Sequence, residues 1–393
     1  MSETVKAHGL DGSLETPDWP PLTHDEIRDV LNAYGEFHGP CELLSASPRP
    51  LSAASIVATR EGRVFVKRHA RALRHAEGLK EEHRFMAYLS DHGAPVPRAF
   101  PASAGETALE IKEWTYEVHE LAAGVDLYED GISWTPFRSA DHARSTGEMM
   151  ARLHLAAEGY DAPARTGRPL VAGFGIYSAA DPAEAMNRYV AARPALRNYL
   201  EQRSCMEDAL ALLGPFHREL VPYLPHLAPL WTHNDFHASN LFWSGRGADA
   251  HATAVIDFGL CDRTNAVHDI AHAIERSIVE WLVLVNDPAR SESVPAHRDH
   301  LWALLEGYER VRPLSRIEAS ALAPMTALCH AEFALSETDY FLSVLHSKEK
   351  AWFGCEGYLV LHSKWWRGPG ASLLGSLREW AARRESVNQG ERI

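Results

Sequence analysis

The 393-residue chain is short of the features that mark several protein classes. It has five Cys, an odd number, at positions 41, 205, 261, 329 and 355, and no two show C-x-x-C spacing. That pattern speaks against a disulfide scaffold and against a zinc ribbon. The 22 His are scattered and no HExxH occurs, so no dedicated structural metal site is expected. No run of 18 apolar residues exists, because the best stretch, SIVEWLVLV, is short and carries a Glu. The N-terminal MSETVKAHGLDGSLETPDWPP has no apolar core of a signal peptide. A soluble, cytoplasmic protein without a membrane partner is expected. Positive charge is also in deficit: Lys plus Arg is 39, Asp plus Glu 53, and the net charge is −14. Such a chain repels phosphate backbones, so no nucleic-acid partner is expected, and a small cation is attracted instead.

What is present is globular composition, 46% hydrophobic and 23% charged, at a length that suits two or three structural units. Residues 1–22 are polar and Pro- and Gly-rich and read as a flexible N-terminal arm. THDEIRDVLNAYG, 23–35, reads as an amphipathic helix with Thr23 as N-cap, Glu26 three residues on and Gly35 at its end. ELLSA, SIVAT and RVFVKRH, within 42–69, read as strands, the last two joined by an E-G turn. A helix follows over 75–90, then the extended GAPVPRAF and a strand over LEIKEWTYEVHEL, 109–121. Beyond 121 the periodicity becomes helical, interrupted by one strand–loop–strand piece over 229–260. The expected class is α+β. A 23–120 part is mostly sheet, and a larger 121–393 part is mainly helical.

The chemistry concentrates in HNDFHASN, 233–240, and VIDFG, 255–259. Asp235 and Asn240 share a loop, and a hairpin turning at 244–252 returns Asp257 toward Asn240. Two carboxylates and an amide oxygen are hard ligands and suit Mg²⁺ rather than zinc. Phosphoryl transfer from a nucleotide needs such a metal, and a further carboxylate for the proton of the attacking hydroxyl. Asn240 and Asp257 fit the first role and Asp235 the second. The same chemistry needs an acid-anchored cation for the phosphates. Lys occurs only at 6, 67, 80, 112, 348, 350 and 364; Lys67 ends the strand VFVK, and the next helix offers Glu81 and Glu82.

With these residues in place, the sequence resembles the aminoglycoside phosphotransferase/choline kinase family, distant relatives of the protein kinases. The likeness rests on H-x-D-x-x-x-x-N at 233–240 and IDFG at 256–259. EEHRFMAYLSDHGAPVPR at 81–98, TGEMMARLH at 146–154, HDIAHA at 268–273 and LEGYERVRPLS at 305–315 support it. It implies a protein-kinase-like two-lobe fold, with a small antiparallel-sheet N-lobe for the nucleotide (23–120) and a larger helical C-lobe for catalysis and substrate (121–393). It implies Asp235 as catalytic base, Asn240 and Asp257 as Mg²⁺ ligands, and Lys67 on the phosphates with Glu82 as its partner. His119, Glu120 and Leu121 become the hinge that holds the base of ATP or GTP, and Asp269 a residue that steadies the catalytic loop. The segment 45–55 departs from the protein-kinase pattern by lacking glycine; Ser52 or Ser55 takes the phosphate contact there.

The expected acceptor is a small hydroxylated, cationic molecule: an amino-sugar, an aminoglycoside or a related natural product. Glu332, Glu337 and Asp339, within CHAEFALSETDYF, are the substrate carboxylates considered, with His237 inside the catalytic loop. Two other readings stand beside it. One is a choline- or homoserine-type metabolite kinase. The other is a nucleotide-binding pseudokinase, which the intact set Lys67, Glu82, Asp235, Asn240 and Asp257 opposes. The chain passes from IDFG to a helix within about ten residues, without the long activation segment of a protein-directed kinase.

Overall fold

A computed structural model describes residues 6–9, 12–37, 39–165 and 169–390. It divides into two compact units. Unit 1 comprises Met1–Asp126, Phe242–Ser244 and Thr253–Gly259, and unit 2 comprises Leu127–Leu241, Gly245–Ala252 and Leu260–Ile393.

Unit 1 opens with a two-stranded pair, β1 (Ala7–His8) and β2 (Leu14–Glu15), followed by α1 (His24–Ala33). Thr23 and Glu26 form the expected capping box, each side chain bonding the other's backbone N–H. Its main body is a five-stranded antiparallel sheet of order β3-β4-β5-β7-β6. The strands are β3 (Glu42–Ala46), β4 (Ala53–Ala58), β5 (Arg63–Ala70), β6 (Ala108–Ile111) and β7 (Trp114–His119). The period-two alternation sorts the two faces. Val64, Val66, Tyr116 and Val118 join Ile27, Val30, Leu31 and Tyr34 of α1 in one apolar cluster. At ~1.5–3 kcal/mol per buried large apolar side chain, this cluster is what holds α1 to the sheet. Lys67 and His69 alternate with those valines, and α2 (Ala76–Asp91) follows.

Two expectations change here. The stretch 109–121, read as one strand, is a hairpin: Lys112 takes the left-handed conformation (φ 56°) and turns β6 into β7. No Gly or Asn flags that turn, which is why periodicity alone runs through it. The arm 1–22 was expected to be loose. Its described part is anchored, with Trp19 edge-on to Trp114 at 5.6 Å and the Pro20 carbonyl accepting from the Arg68 guanidinium.

Unit 2 is mainly helical. α3 (Ala140–Ala157) crosses the later α9 (Arg298–Val311) at glycines, and a Cβ at Gly147 would overlap the Leu304 carbonyl just as one at Gly307 would overlap that of Arg144. The close crossing brings His154 of α3 within 2.8 Å of the Tyr308 hydroxyl of α9. In chain order between these two helices come α4 (Pro182–Ala191), α5 (Pro194–Leu200), α6 (Cys205–Leu220), β8 (Pro229–Thr232), β9 (Leu241–Trp243) and β10 (Ala252–Val255), both mostly in unit 1, then β11 (Asp262–Asn265), α7 (Ala266–Ile278) and α8 (Trp281–Asn286). After α9 come α10 (Arg316–Leu328), α11 (His330–Ser343), α12 (Lys348–Trp352), a π-helical stretch Phe353–Val360, α13 (Leu361–Arg367) and α14 (Ala371–Gly390). β8 and β11 pair antiparallel, Thr232 opposite Asp262, so the loop carrying 233–240 starts from a fixed strand. Among the described residues a single disulfide, unforeseen by a sequence reading that sets aside a disulfide scaffold, joins Cys205 of α6 to Cys355 of the π-helical stretch. A separation of 150 residues leaves no local spacing by which such a pair is read. Among the described residues no helix is long and apolar enough to cross a membrane.

Candidate active site

Each unit carries its own set of chemistry-bearing side chains. In unit 1, Lys67 Nζ lies 3.1 Å from Asp257 Oδ1. Burial by itself lowers the Lys67 pKa, but Asp257, with Glu117 and Glu82 behind it, outweighs that and holds the ammonium above its usual range. Glu82, the expected partner, forms its ion pair with Arg74 instead, Oε1 to Nε at 3.3 Å. Arg74 also donates to the Gly259 carbonyl at 2.8 Å, tying α2 to the turn after Asp257. The Arg74 guanidinium has donors for the Glu82 carboxylate and the Gly259 carbonyl at once, and Glu82 acts on Lys67 through its charge. Asp257 itself sits in the left-handed region, φ 61°.

In unit 2 the catalytic loop is pinned from below by Asp269 of α7. The carboxylate is fully buried and accepts the backbone N–H groups of Asn234 (2.8 Å) and His233 (3.2 Å), and His154 Nε2 approaches at 2.9 Å. Burial raises its pKa; the His154 bond and the neighbouring positive charge bring it below the usual range. Asn234 turns the chain with φ 60° and is locked there. Its Oδ1 accepts from Thr232 (2.8 Å) and Thr264 (3.1 Å), and its Nδ2 donates to the Leu260 carbonyl (3.2 Å). The turn delivers Asp235. Its Oδ2 lies 3.5 Å from His237 Nε2, its Oδ1 lies 3.4 Å from Arg276 Nε, and the Asn240 amide donates to its carbonyl (3.0 Å) and to Oδ2 (3.2 Å). Burial opposes ionisation of Asp235, but His237 and Arg276 overcome it and keep the carboxylate well below its ordinary pKa. Because the Asn240 amide nitrogen is spent on Asp235, its oxygen is the atom left to meet a cation. An amide oxygen and the Asp257 carboxylate are both hard donors, and each fits a divalent metal.

Around Asp235 lies a buried network that sequence reading largely missed. Arg276 is 2% exposed and its guanidinium stands over Phe333 at 4.8 Å and Tyr358 at 5.7 Å. It also lies 3.8 Å from Glu275 Oε2, and the other oxygen of Glu275 meets His362 Nδ1 at 3.1 Å. Glu337 of α11, 3% exposed, has Oε2 without a hydrogen-bond partner. Burial pushes its pKa up to about 8 against the pull of Arg276, so it carries a proton at neutral pH. The one sequence signal for Arg276 is position: it follows Asp269 by two helical turns and so shares its face of α7.

The remaining expected residues fall as follows. Ser52 is buried just ahead of β4, and Ser55 lies inside β4 opposite Val66. His119 is buried with Nε2 2.8 Å from Glu117. Glu120 turns to Arg98, donating its N–H to that carbonyl (3.0 Å) and accepting the Arg98 N–H on Oε2 (3.1 Å), while Leu121 is half-buried. His237 is buried with Nδ1 2.8 Å from Ser239 Oγ. Glu332 accepts the Ile176 N–H at 2.9 Å, and Asp339 lies 3.9 Å from Arg193; burial raises the pKa of both carboxyls.

The chain belongs to the phosphotransferase enzyme family, whose sequence profile matches residues 52–314. It is 28% identical over 305 residues to a homoserine kinase of Caulobacter vibrioides (strain NA1000 / CB15N), covering 77% of this chain and 82% of that protein. Among solved structures it is similar to a microcompartment-associated aminopropanol kinase (TM-score 0.57, 18% identity, 90% of this chain and 98% of that one). It is similar also to the amicoumacin kinase hAmiN solved with AMP-PNP and Ca²⁺ (TM-score 0.54, 15% identity, 87% and 96%). An aminoglycoside phosphotransferase of Alicyclobacillus acidocaldarius matches with TM-score 0.52 at 13% identity over 93% and 98%. The family resemblance and the kinase-like fold read from the sequence are therefore borne out, and the protein is a small-molecule kinase. Membership implies a phosphoryl donor and, for a small-molecule kinase, a small-molecule acceptor.

Proposed function

We propose that the chain transfers the γ-phosphoryl group of ATP or GTP to a hydroxyl of a small amine-bearing acceptor. The observation that carries this reading is Asp235: a carboxylate kept ionised by Arg276 and His237, on a loop that Asp269 fixes by two backbone hydrogen bonds. Asp235 takes the acceptor hydroxyl as hydrogen-bond donor, aligns its oxygen and accepts its proton as the P–O bond forms. Its low basicity suits a loose transition state, in which the hydroxyl loses its proton late. Lys67 anchors the phosphates. Ser52 and Ser55 serve the phosphate loop, and the 119–121 segment serves the base. Glu82 keeps α2 in register through Arg74. Asp257 and the Asn240 oxygen are the ligands for Mg²⁺, which when bound neutralises charge on the phosphates.

The acceptor class follows from charge: Glu337 shares a network with Asp235 and Arg276, and Glu332 and Asp339 lie on the same helix, α11, as further carboxyls for an ammonium. Arg276, a cation in the same network, favours an acceptor that also carries an anionic group. A compact hydroxylated amino acid satisfies both, and the similarity to homoserine kinases supports it. An amino-sugar or aminoglycoside is the second reading, favoured by the three acidic side chains alone. Nucleotide consumption with Mg²⁺ separates them in a panel of homoserine, other hydroxy amino acids, choline, amino alcohols and aminoglycosides, with Asp235→Ala as blank. Turnover confined to hydroxy amino acids supports the first reading, and turnover on aminoglycosides overturns it. Asp257→Ala should weaken Mg-nucleotide binding as well as turnover, whereas Asp235→Ala should spare nucleotide binding. Wild-type rates in both variants would refute the whole assignment.

A further inference from the structure

Beside the phosphate-anchoring Lys67 lies a cluster of side chains that the kinase chemistry does not use, the 119–121 segment serving the base through its backbone. On β7, Glu117 and His119 are two residues apart and share a face. β5 pairs with β7 so that Lys67 lies opposite Glu117 and His69 opposite Thr115, which puts His69 on that same face. α2 adds His83. All four are buried: His69 6%, His83 4%, Glu117 4% and His119 8% exposed. Three imidazole nitrogens converge on one carboxylate. His83 Nε2 lies 2.6 Å and His119 Nε2 2.8 Å from Glu117 Oε2, and His69 Nε2 lies 2.9 Å from Oε1. The ligand atoms of His83, Glu117 and His119 all fall within 4.8 Å of one another.

We propose that His83, Glu117 and His119 form a transition-metal site for Zn²⁺ or an ion of like preference inside the sheet-bearing unit, with a water as the fourth ligand. The donor set is imidazole and carboxylate, which zinc takes in four-coordinate sites. Ligand atoms of a tetrahedral zinc stand roughly 3.3 Å apart, so the present spacings need to open by only about half an ångström. His83 has its outer partner in place, Nδ1 at 2.8 Å from Thr107 Oγ1, the arrangement that orients metal-bound imidazoles. The competing arrangement is a carboxylate held by three imidazole N–H donors with no ion at all.

The two arrangements differ in stoichiometry and in spectrum, neither of which depends on kinase activity. The full-length chain is stripped with chelator and titrated with Zn²⁺ or Co²⁺ in excess Mg²⁺, which occupies hard oxygen sites. The expected result is one equivalent bound with submicromolar affinity, and Co²⁺ giving the intense visible absorption of tetrahedral coordination. His83→Ala with His119→Ala should abolish it. Glu117→Gln, which keeps the shape and the hydrogen-bond acceptor, should weaken it at least tenfold. Circular dichroism checks that each variant is folded. Folded wild-type protein that takes up no equivalent overturns the proposal. So does uptake that survives in the double variant, which would assign the metal to another cluster such as His297, Asp299 and His300.

Discussion

Asp235, half-buried, and Glu337, 3% exposed, are carboxyls of unit 2 that both feel the charge of Arg276, yet they hold opposite charge states. Asp235 has His237, Arg276 and the Asn240 amide around it and stays ionised. Glu337 has an oxygen with no hydrogen-bond partner and keeps its proton up to about pH 8. Desolvation opposes ionisation of both, and the partners decide the outcome. The carboxyl that keeps its charge is suited to orient a hydroxyl, and the one that lost it is suited to wait for an incoming ammonium. On this reading the largest effect comes from breaking the partnered side. Asp235→Ala should lower kcat by roughly 10²–10⁴-fold, the usual worth of a positioned acid–base group, with nucleotide affinity within a few-fold of wild type. Steady-state kinetics beside a nucleotide-binding titration check both halves. A variant that loses nucleotide binding as much as kcat would move Asp235 from acceptor to metal.

Asp269 sharpens the comparison from beneath the loop. It is a charge with three hydrogen-bond partners and no solvent, so Asp269→Ala leaves His154 and two backbone N–H groups buried without an acceptor. Removing one partner from a buried charged network costs about 3–5 kcal/mol. Urea unfolding at neutral pH should show a loss of that order, together with lost activity. Stability within about 1 kcal/mol of wild type would mean that the loop is held by Asn234 and its threonines alone.

Much of this was legible beforehand, because local chemistry dictates it. The capping box at Thr23 and Glu26, the alternation in RVFVKRH and the strand–loop–strand piece that carries HNDFHASN are short-range patterns. They survive folding unchanged. The missing parts are long-range. Arg276 reads as an ordinary helix-surface residue until α7 packs beneath the 233–240 loop, when it becomes a neighbour of Asp235. Glu82 answers to Arg74 because the chain just before α2 doubles back beside it, a fact no spacing records. The Cys205–Cys355 disulfide and the convergence of His69, His83 and His119 on Glu117 likewise exist only after distant segments meet.

The unpartnered side makes a prediction with a definite sign. A carboxyl with pKa near 4.5 in the unfolded chain and about 8 in the folded one favours the folded state least when ionised. Its cost is absent below about pH 4.5, grows as pH rises, and is complete above about pH 8. Glu337→Gln removes that titration. The variant should match wild type near pH 4.5 and exceed it by on the order of 2–4 kcal/mol near pH 9, seen in urea midpoints across that range. Parallel pH profiles would show that Glu337 is solvated after all. An ammonium-bearing acceptor should bind the ionised form, so its KM should fall as pH rises toward 8 in wild type and stay flat in the variant.

The smallest effect tests the other term in the comparison, the burial itself. Arg188 and Glu184 form an i,i+4 ion pair on α4, with side chains 62% and 68% exposed. The partnership is as close as any around Asp235, but water screens it and competes for both ends. Exposed pairs of this kind contribute about 0.3–0.5 kcal/mol. Arg188→Ala should therefore shift the urea midpoint by no more than that, and 1 M salt should erase the difference. A loss above about 1 kcal/mol would mean that partnering stabilises regardless of solvent. The contrast between Asp235 and Glu337 would then have to rest on something other than desolvation. A loss within the expected range leaves desolvation as the factor that turns a modest surface attraction into control of a carboxyl's charge.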